Sequence, residues 1–156
     1  MVAHAADYTV TLSNVHLCCN SCVQDAEDAV GPVTGASASP DKASHSIKIT
    51  APDRATAQKA VDALTAAGYY GQPSDAGIHL AQTSAPNSNV QSLKVSGVHL
   101  CCKKCVNAVN QAVTKVKGVT GTTAAKDAES YEILGNFNAK DVINALNAAG
   151  FSAKVE

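Results

Sequence analysis

Residues Tyr8 to Val15 alternate apolar and polar side chains with β-branched residues among them, the pattern of a half-buried strand. A loop follows from His16 to Asn20. From about Ser21 the period lengthens to that of a helix, with Val23, Ala26 and Val30 on one face, and Gly31-Pro32 closes it. A short, weakly patterned strand over 34–39 leads into the turn Ser39-Pro40-Asp41-Lys42. A clearer strand, His45 to Ala51, sets Ile47 and Ile49 on one side. Asp53 or Thr56 can cap a second helix with the inner stripe Ala57, Val61 and Leu64; Gly68 ends it, and Tyr69-Tyr70 begins a last strand.

The series then runs again. Val90 to Val98 is the strand, and Val106, Val109 and Val113 copy the first helical stripe at one constant offset. The second helix returns as Ile143 to Phe151, with Ala-Ala-Gly and an aromatic at its end as in Ala66 to Tyr69, at an offset one residue shorter. The length change therefore falls in the hairpin between the helices, where insertions are easily tolerated. Each copy reads β-α-β-β-α-β, so the expected class is α+β: two ferredoxin-like domains in tandem, each with four antiparallel strands, two helices on one face and the first βα loop exposed at one end. Turn formers are dense from about Gln72 to Asn89, while Ile78 and Leu80 extend the last strand. The expected division is a first domain over 1–76, a linker over 77–89 and a second domain over 90–156.

Composition sharpens this picture in three ways. Hydrophobic residues make up 46% of the chain but aromatics only 4%, with no tryptophan, so two thin cores are expected rather than one large one. A net charge of -1 gives no reason to expect a nucleic-acid partner. The first half is nevertheless acidic and the second basic, so the halves attract one another weakly or face different partners. No apolar run is long enough to cross a bilayer. Ala3-His4-Ala5-Ala6 has the small-x-small pattern of a signal-peptidase site, which points to an exported protein, periplasmic or extracellular, with a cytoplasmic location as the alternative.

The chemistry is concentrated in one heptapeptide that occurs twice, His16-Leu17-Cys18-Cys19-Asn20-Ser21-Cys22 and His99-Leu100-Cys101-Cys102-Lys103-Lys104-Cys105, which together hold all 6 cysteines. In each copy a Cys-x-x-Cys begins at the end of a loop and runs into the first turn of a helix. Two thiolates can converge there on one ion, favoured by the helix dipole and the unpaired N–H groups. Soft Cu(I) accepts two or three sulfurs, whereas zinc normally takes four ligands. Cys18 and Cys101 are a separate question. Adjacent Cα atoms, about 3.8 Å apart, lie below the usual disulfide span of about 4.4–6.8 Å. A third ligand, a bridge to a second metal site and a small buried side chain all remain open for them. His16 and His99 rank behind the cysteines as ligands, and His4, His45 and His79 read as solvated. Lys103-Lys104 set a basic pair beside the second loop where the first has Asn20-Ser21.

A strand, a loop with Cys-x-x-Cys entering a helix, and a second helix ending in Ala-Ala-Gly before an aromatic together resemble the heavy-metal-associated domains of copper chaperones, metal-transporting ATPase N-termini and mercury-binding proteins. The family motif is Gly-Met-x-Cys-x-x-Cys. By that resemblance Cys19, Cys22, Cys102 and Cys105 take the ligand positions, and Tyr69 and Phe151 lie near the metal loops. The chain departs from the motif at His16 and His99 for glycine, Leu17 and Leu100 for methionine, and Cys18 and Cys101 for a usual threonine or serine. The resemblance implies a non-enzymatic tandem carrier or scavenger, with Cu(I) first and Zn(II), Cd(II) or Hg(II) as alternatives, handed by ligand exchange to a metal-transporting or metal-accepting protein. Two other readings share the residues: a metal clamped between two loops of one chain or of a metal-bridged dimer, and thiol-disulfide exchange.

Overall fold

The computed structural model describes residues 7–156. His4 and the small-x-small pattern at Ala3-His4-Ala5-Ala6 lie outside them. The first half contains β1 (Tyr8–Ser13), α1 (Asn20–Val30), β2 (Ser37–Asp41), β3 (Ser46–Ala51), α2 (Arg54–Ala66) and β4 (Gln72–Pro73). The second contains β5 (Asn89–Ser96), α3 (Lys103–Thr114), β6 (Val119–Thr122), β7 (Ser130–Asn138), α4 (Ala139–Ala148) and β8 (Lys154–Val155). Each half forms one antiparallel four-stranded sheet, ordered β2-β3-β1-β4 and β6-β7-β5-β8. With β1 and β3 central and a helix after the first and third strands, this is the ferredoxin-like arrangement, twice. Among the described residues no helix is long and apolar enough to cross a membrane.

Alternation does what it implies on the strands. Val10 and Leu12 of β1 and Ile47 and Ile49 of β3 are fully buried, while Thr11 and Lys48 face outward. The caps differ between the halves: Asp53 accepts from the Thr56 N–H at 2.7 Å, and Asn138 accepts from the Lys140 N–H at 3.0 Å. The length change between the halves coincides with a register shift in the β6–β7 hairpin between Val119 and Gly121.

The helical stripe differs in phase from the periodicity reading. α1 buries Cys22, Ala26 and Val30, and α3 buries Cys105, Val109 and Val113; Val23 and Val106 are only half-buried. The inner face therefore begins at the last cysteine of each motif. A cysteine is small and apolar enough to start such a stripe. Two further differences fall within the first half. Strand β2 runs on to Asp41, where a turn over 39–42 is expected. Ile78 is buried but does not extend β4: His79 exchanges two hydrogen bonds with the Gln58 side chain, at 2.6 and 2.9 Å, so this segment is fastened to α2 instead of the sheet.

The two halves dock through the residues that follow their second helices. Tyr69 forms a bridge with Phe151, flanked by hydrogen bonds from the Tyr70 N–H to the Gly150 carbonyl at 3.1 Å and from the Ser152 N–H to the Gly68 carbonyl at 2.9 Å. Gly68 and Gly150 have φ of +96° and +89°. A Cβ on Gly68 would lie 2.5 Å from both the Gly97 carbonyl oxygen and the His99 nitrogen. On Gly150 it would lie 2.3 Å from the His16 nitrogen. Each glycine thus ends a helix in the left-handed region and also lets the backbone of the other half's cysteine loop come close.

Candidate metal centre

Docking turns the two loops toward each other. Cys19 and Cys102 are the N-caps of α1 and α3, and neither side chain caps its helix, which leaves both sulfurs free to turn outward. The first-turn N–H groups of both helices lie at this end, where their partial positive charge favours thiolate. Leu17 and Leu100, buried beneath the loops, anchor the residues that carry Cys18 and Cys101.

The expectation of an exposed loop is corrected by what meets it. All six cysteines are unbridged thiols and form one cluster: Cys22 and Cys105 are fully buried, and the other four are half-buried. Within each motif the third cysteine contacts both others: Cys22 lies 3.6 and 3.3 Å from Cys18 and Cys19, and Cys105 lies 3.7 Å from each of Cys101 and Cys102. Across the motifs, Cys18 lies 3.4 Å from Cys102 and 3.5 Å from Cys105. Cys101 returns the contact, 3.6 Å from Cys19 and 3.4 Å from Cys22. Cys22 and Cys105 complete the set at 3.8 Å. The extra cysteine of each motif therefore reaches into the opposite loop. A repeat count could flag Cys18 and Cys101 but could not say where they point.

The histidines cross over as well. The His16 ring stacks on Phe151 of the second half, centroids 4.4 Å apart, and His99 tilts over Tyr69 of the first at 4.6 Å. The two pairs differ by one hydroxyl. Tyr69 donates to the Cys22 carbonyl at 2.7 Å and meets His99 Nε2 at 3.3 Å, tying α1 to the opposite loop. Phe151 has no such group, and among the described residues His16 Nε2 is buried without a partner. Asp25 lies 4.0 Å from His99 Nε2. Tyr69 thus meets the first cysteine motif through the Cys22 carbonyl and Phe151 meets it through His16, while both belong to the core, at 1% and 0% exposure. His45 and His79 are exposed, as are Lys103 and Lys104.

Electrostatics within the cluster are uneven. Burial pushes the Cys18 and Cys101 thiols up, reinforced by hydrogen bonding to neighbouring sulfurs. Cys22 is held low, first by its hydrogen bond with Cys105, against the opposing effect of burial, and then by His99. Cys105 is correspondingly raised by donating to Cys22 and by burial. For Cys102, burial acts upward, but hydrogen bonds with Cys105 and Cys18 outweigh it and bring the group down to about 7. Cys22 and Cys102 are thus the groups readiest to ionise, and the protons retained by Cys18, Cys101 and Cys105 keep like charges apart.

Groups of donor atoms lying mutually within 4.8 Å are Cys18, Cys19 and Cys22; Cys19, Cys101 and Cys102; His16, Cys18 and Cys105; and Cys22, Cys101, Cys105 and His99. Three of these four draw on both halves. Sulfur in such sets is the donor chemistry of thiophilic ions.

No family model matches the chain, and no curated protein matches it. Among solved structures, it is similar to a copper binding domain from HMA7, a P-type ATPase, at 21% identity and a TM-score of 0.40, over 43% of this chain and 95% of that one. The N-terminal soluble domains of Bacillus subtilis CopA align over 97% of this chain and 95% of theirs, at 15% identity and a TM-score of 0.33. The first two RRM domains of yeast poly(U) binding protein align over 96% of this chain and 98% of theirs, at 10% identity and a TM-score of 0.28. Overlaps of this size leave the fold to be read from the strand order and the chemistry from the cysteines. On those grounds the chain is a tandem of two ferredoxin-like units with their cysteine-bearing ends in contact.

Proposed function

We propose that the protein binds a soft, thiophilic metal in a site built jointly by its two Cys-Cys-x-x-Cys loops, that Cu(I) is the preferred cargo, and that it acts as a carrier or scavenger with no catalytic step. The observation that carries this reading is the reciprocal crossing of the extra cysteines, Cys18 to Cys102 and Cys105, and Cys101 to Cys19 and Cys22, all within 3.4 to 3.6 Å. Six sulfurs in one half-buried place suit a soft cation, and the motif's resemblance to heavy-metal-associated loops agrees with it. Loading displaces the protons that burial holds on Cys18 and Cys101, so uptake releases acid and strengthens with pH. Release to an accepting protein proceeds by thiol exchange at the four half-buried cysteines, followed by separation of the halves.

A second reading has its own observation. Cys22, Cys101 and Cys105 with His99 form a four-donor set, and three sulfurs with one imidazole is a familiar structural zinc site. Anaerobic titration of the reduced protein with Cu(I) and with Zn(II) against competing chelators separates the two. Replacing Cys101, Cys102 and Cys105 together by serine is expected to weaken Cu(I) binding at the remaining loop by at least about a hundredfold, since a shared site loses half its donors. Retention of half the Cu(I) capacity at unchanged affinity contradicts a joint site, and a preference for zinc that depends on His99 selects the second reading.

A further inference from the structure

The close pairs of sulfurs have a pattern of their own. Nine pairs are separated by 3.3 to 3.8 Å. Three more, Cys18/Cys19, Cys19/Cys102 and Cys101/Cys102, lie within 4.8 Å. These close pairs connect the six sulfurs as the edges of an octahedron, with Cys18 opposite Cys101, Cys19 opposite Cys105 and Cys22 opposite Cys102. The exchange of one half for the other maps this figure onto itself.

Resting on the soft-metal reading above, we infer that the six sulfurs form a cage for four Cu(I) ions, one on each of four alternate faces. One such set is Cys18-Cys19-Cys22, Cys19-Cys101-Cys102, Cys18-Cys102-Cys105 and Cys22-Cys101-Cys105, and exchanging the two halves gives the other, equivalent set. Each ion is then three-coordinate, each thiolate bridges two ions, and no cysteine is left over. Size agrees: around an ion with metal–sulfur bonds of about 2.3 Å, three sulfurs in a plane stand about 4 Å apart, near the edges found here. Soft Cu(I) is satisfied by three thiolates, whereas an ion that requires four ligands cannot sit on a triangular face without a further donor.

Charge favours the same stoichiometry. A single Cu(I) among six thiolates leaves five negative charges crowded together, or leaves most of the sulfurs protonated. Four ions reduce the excess to two, which face the N-terminal ends of α1 and α3 and lie beside the exposed Lys103 and Lys104 at the start of α3. The role of the extra cysteine is plain in this geometry. Without Cys18 and Cys101 four sulfurs remain, and every one of the four faces loses a corner.

The test is anaerobic titration of the reduced full-length chain with Cu(I) against a competing Cu(I) chelator, followed by native mass spectrometry and by X-ray absorption at the copper edge. The expected result is a cooperative passage to four Cu(I) per chain with one- to three-copper species staying minor, three sulfur neighbours per copper, and copper–copper scattering. Cys18→Ser and Cys101→Ser, at half-buried positions where folding is not at stake, are each expected to lower the plateau below four. A plateau of one or two ions with all six thiols reduced, or a plateau of four that survives either substitution, overturns the cage and leaves soft-metal binding standing. Failure to retain any Cu(I) against the chelator overturns both.

Discussion

Replacing Gly150 by alanine is expected to pull the two cysteine loops apart while leaving each sheet intact. The φ of +89° puts this residue where an L side chain is strained by about 1–2 kcal/mol before any contact is considered. The added Cβ would then meet His16 N at 2.3 Å, Val15 C at 2.8 Å and Asn14 O at 2.9 Å, all backbone atoms that cannot rotate away. The Gly150 carbonyl accepts hydrogen bonds from the Tyr70 and His16 N–H groups, at 3.1 and 3.4 Å, so the halves must separate to relieve the clash. Gly68→Ala should do the same from the other side, where Gly97 O and His99 N stand 2.5 Å from the new Cβ. Each substitution is expected to cost at least about 2 kcal/mol in denaturant unfolding and to convert shared Cu(I) binding into weak binding by separate loops. Gly121→Ala is the control, since no described residue has an atom within 4 Å of its Cβ position, chain neighbours aside. Wild-type affinity and stability in Gly150→Ala would mean that the loops do not depend on this contact.

Metal loading is expected to have the second large effect, on the stability of the whole chain. An ion bound by both halves when folded, and by neither when unfolded, stabilises by about 4.1 kcal/mol at a free concentration one thousand times its dissociation constant. For a chain of this length about 2–4 °C accompany each kcal/mol, so the melting temperature should rise by about 8–16 °C. With ligands drawn from both loops, as proposed, α1 and α3 should melt together in the loaded protein. Calorimetry of the reduced protein with and without Cu(I) checks this. A rise of less than a few degrees, or two transitions that move independently, would point to separate sites. A strong chelator added to the loaded protein should return the original melting temperature.

Much of the fold could be read from the sequence because it is local. Alternation in Tyr8 to Val15, helical periodicity around Ala26 and Val30, and the glycines at 68 and 150 each specify an element without reference to the rest of the chain. The repeat then fixes the topology, since β-α-β-β-α-β twice over leaves few arrangements of four antiparallel strands. The phase of α1 and α3 was harder. Reading Cys22 and Cys105 as ligands in the first helical turn sets the stripe at Val23 and Val106, whereas both cysteines are fully buried and open the inner face. The same atoms serve packing and chemistry, and periodicity counts only the first.

The site was half legible. Two Cys-x-x-Cys motifs at helix starts name the candidate donors, and recurrence singles out Cys18 and Cys101 without choosing between ligand, bridge and small buried side chain. Nothing local says that the two loops meet. That depends on Gly68 and Gly150 acting as contact points as well as helix stops, and on His16 and His99 stacking on Phe151 and Tyr69 of the opposite half. Long-range docking of this kind leaves no period in a sequence. The exchange of Tyr69 for Phe151, which leaves His16 Nε2 without the partner that His99 has, is invisible until the two rings are found side by side.

Everything proposed for the site depends on one ion taking ligands from both loops. Loading the reduced protein with cadmium-113 and recording cadmium–proton correlations reads this directly, because scalar coupling passes only through a metal–sulfur bond. A cadmium resonance that correlates with β-protons of cysteines from both motifs, for example Cys18 and Cys102, is the predicted result. Cadmium resonances that each couple only to Cys18, Cys19 and Cys22, or only to Cys101, Cys102 and Cys105, would contradict it.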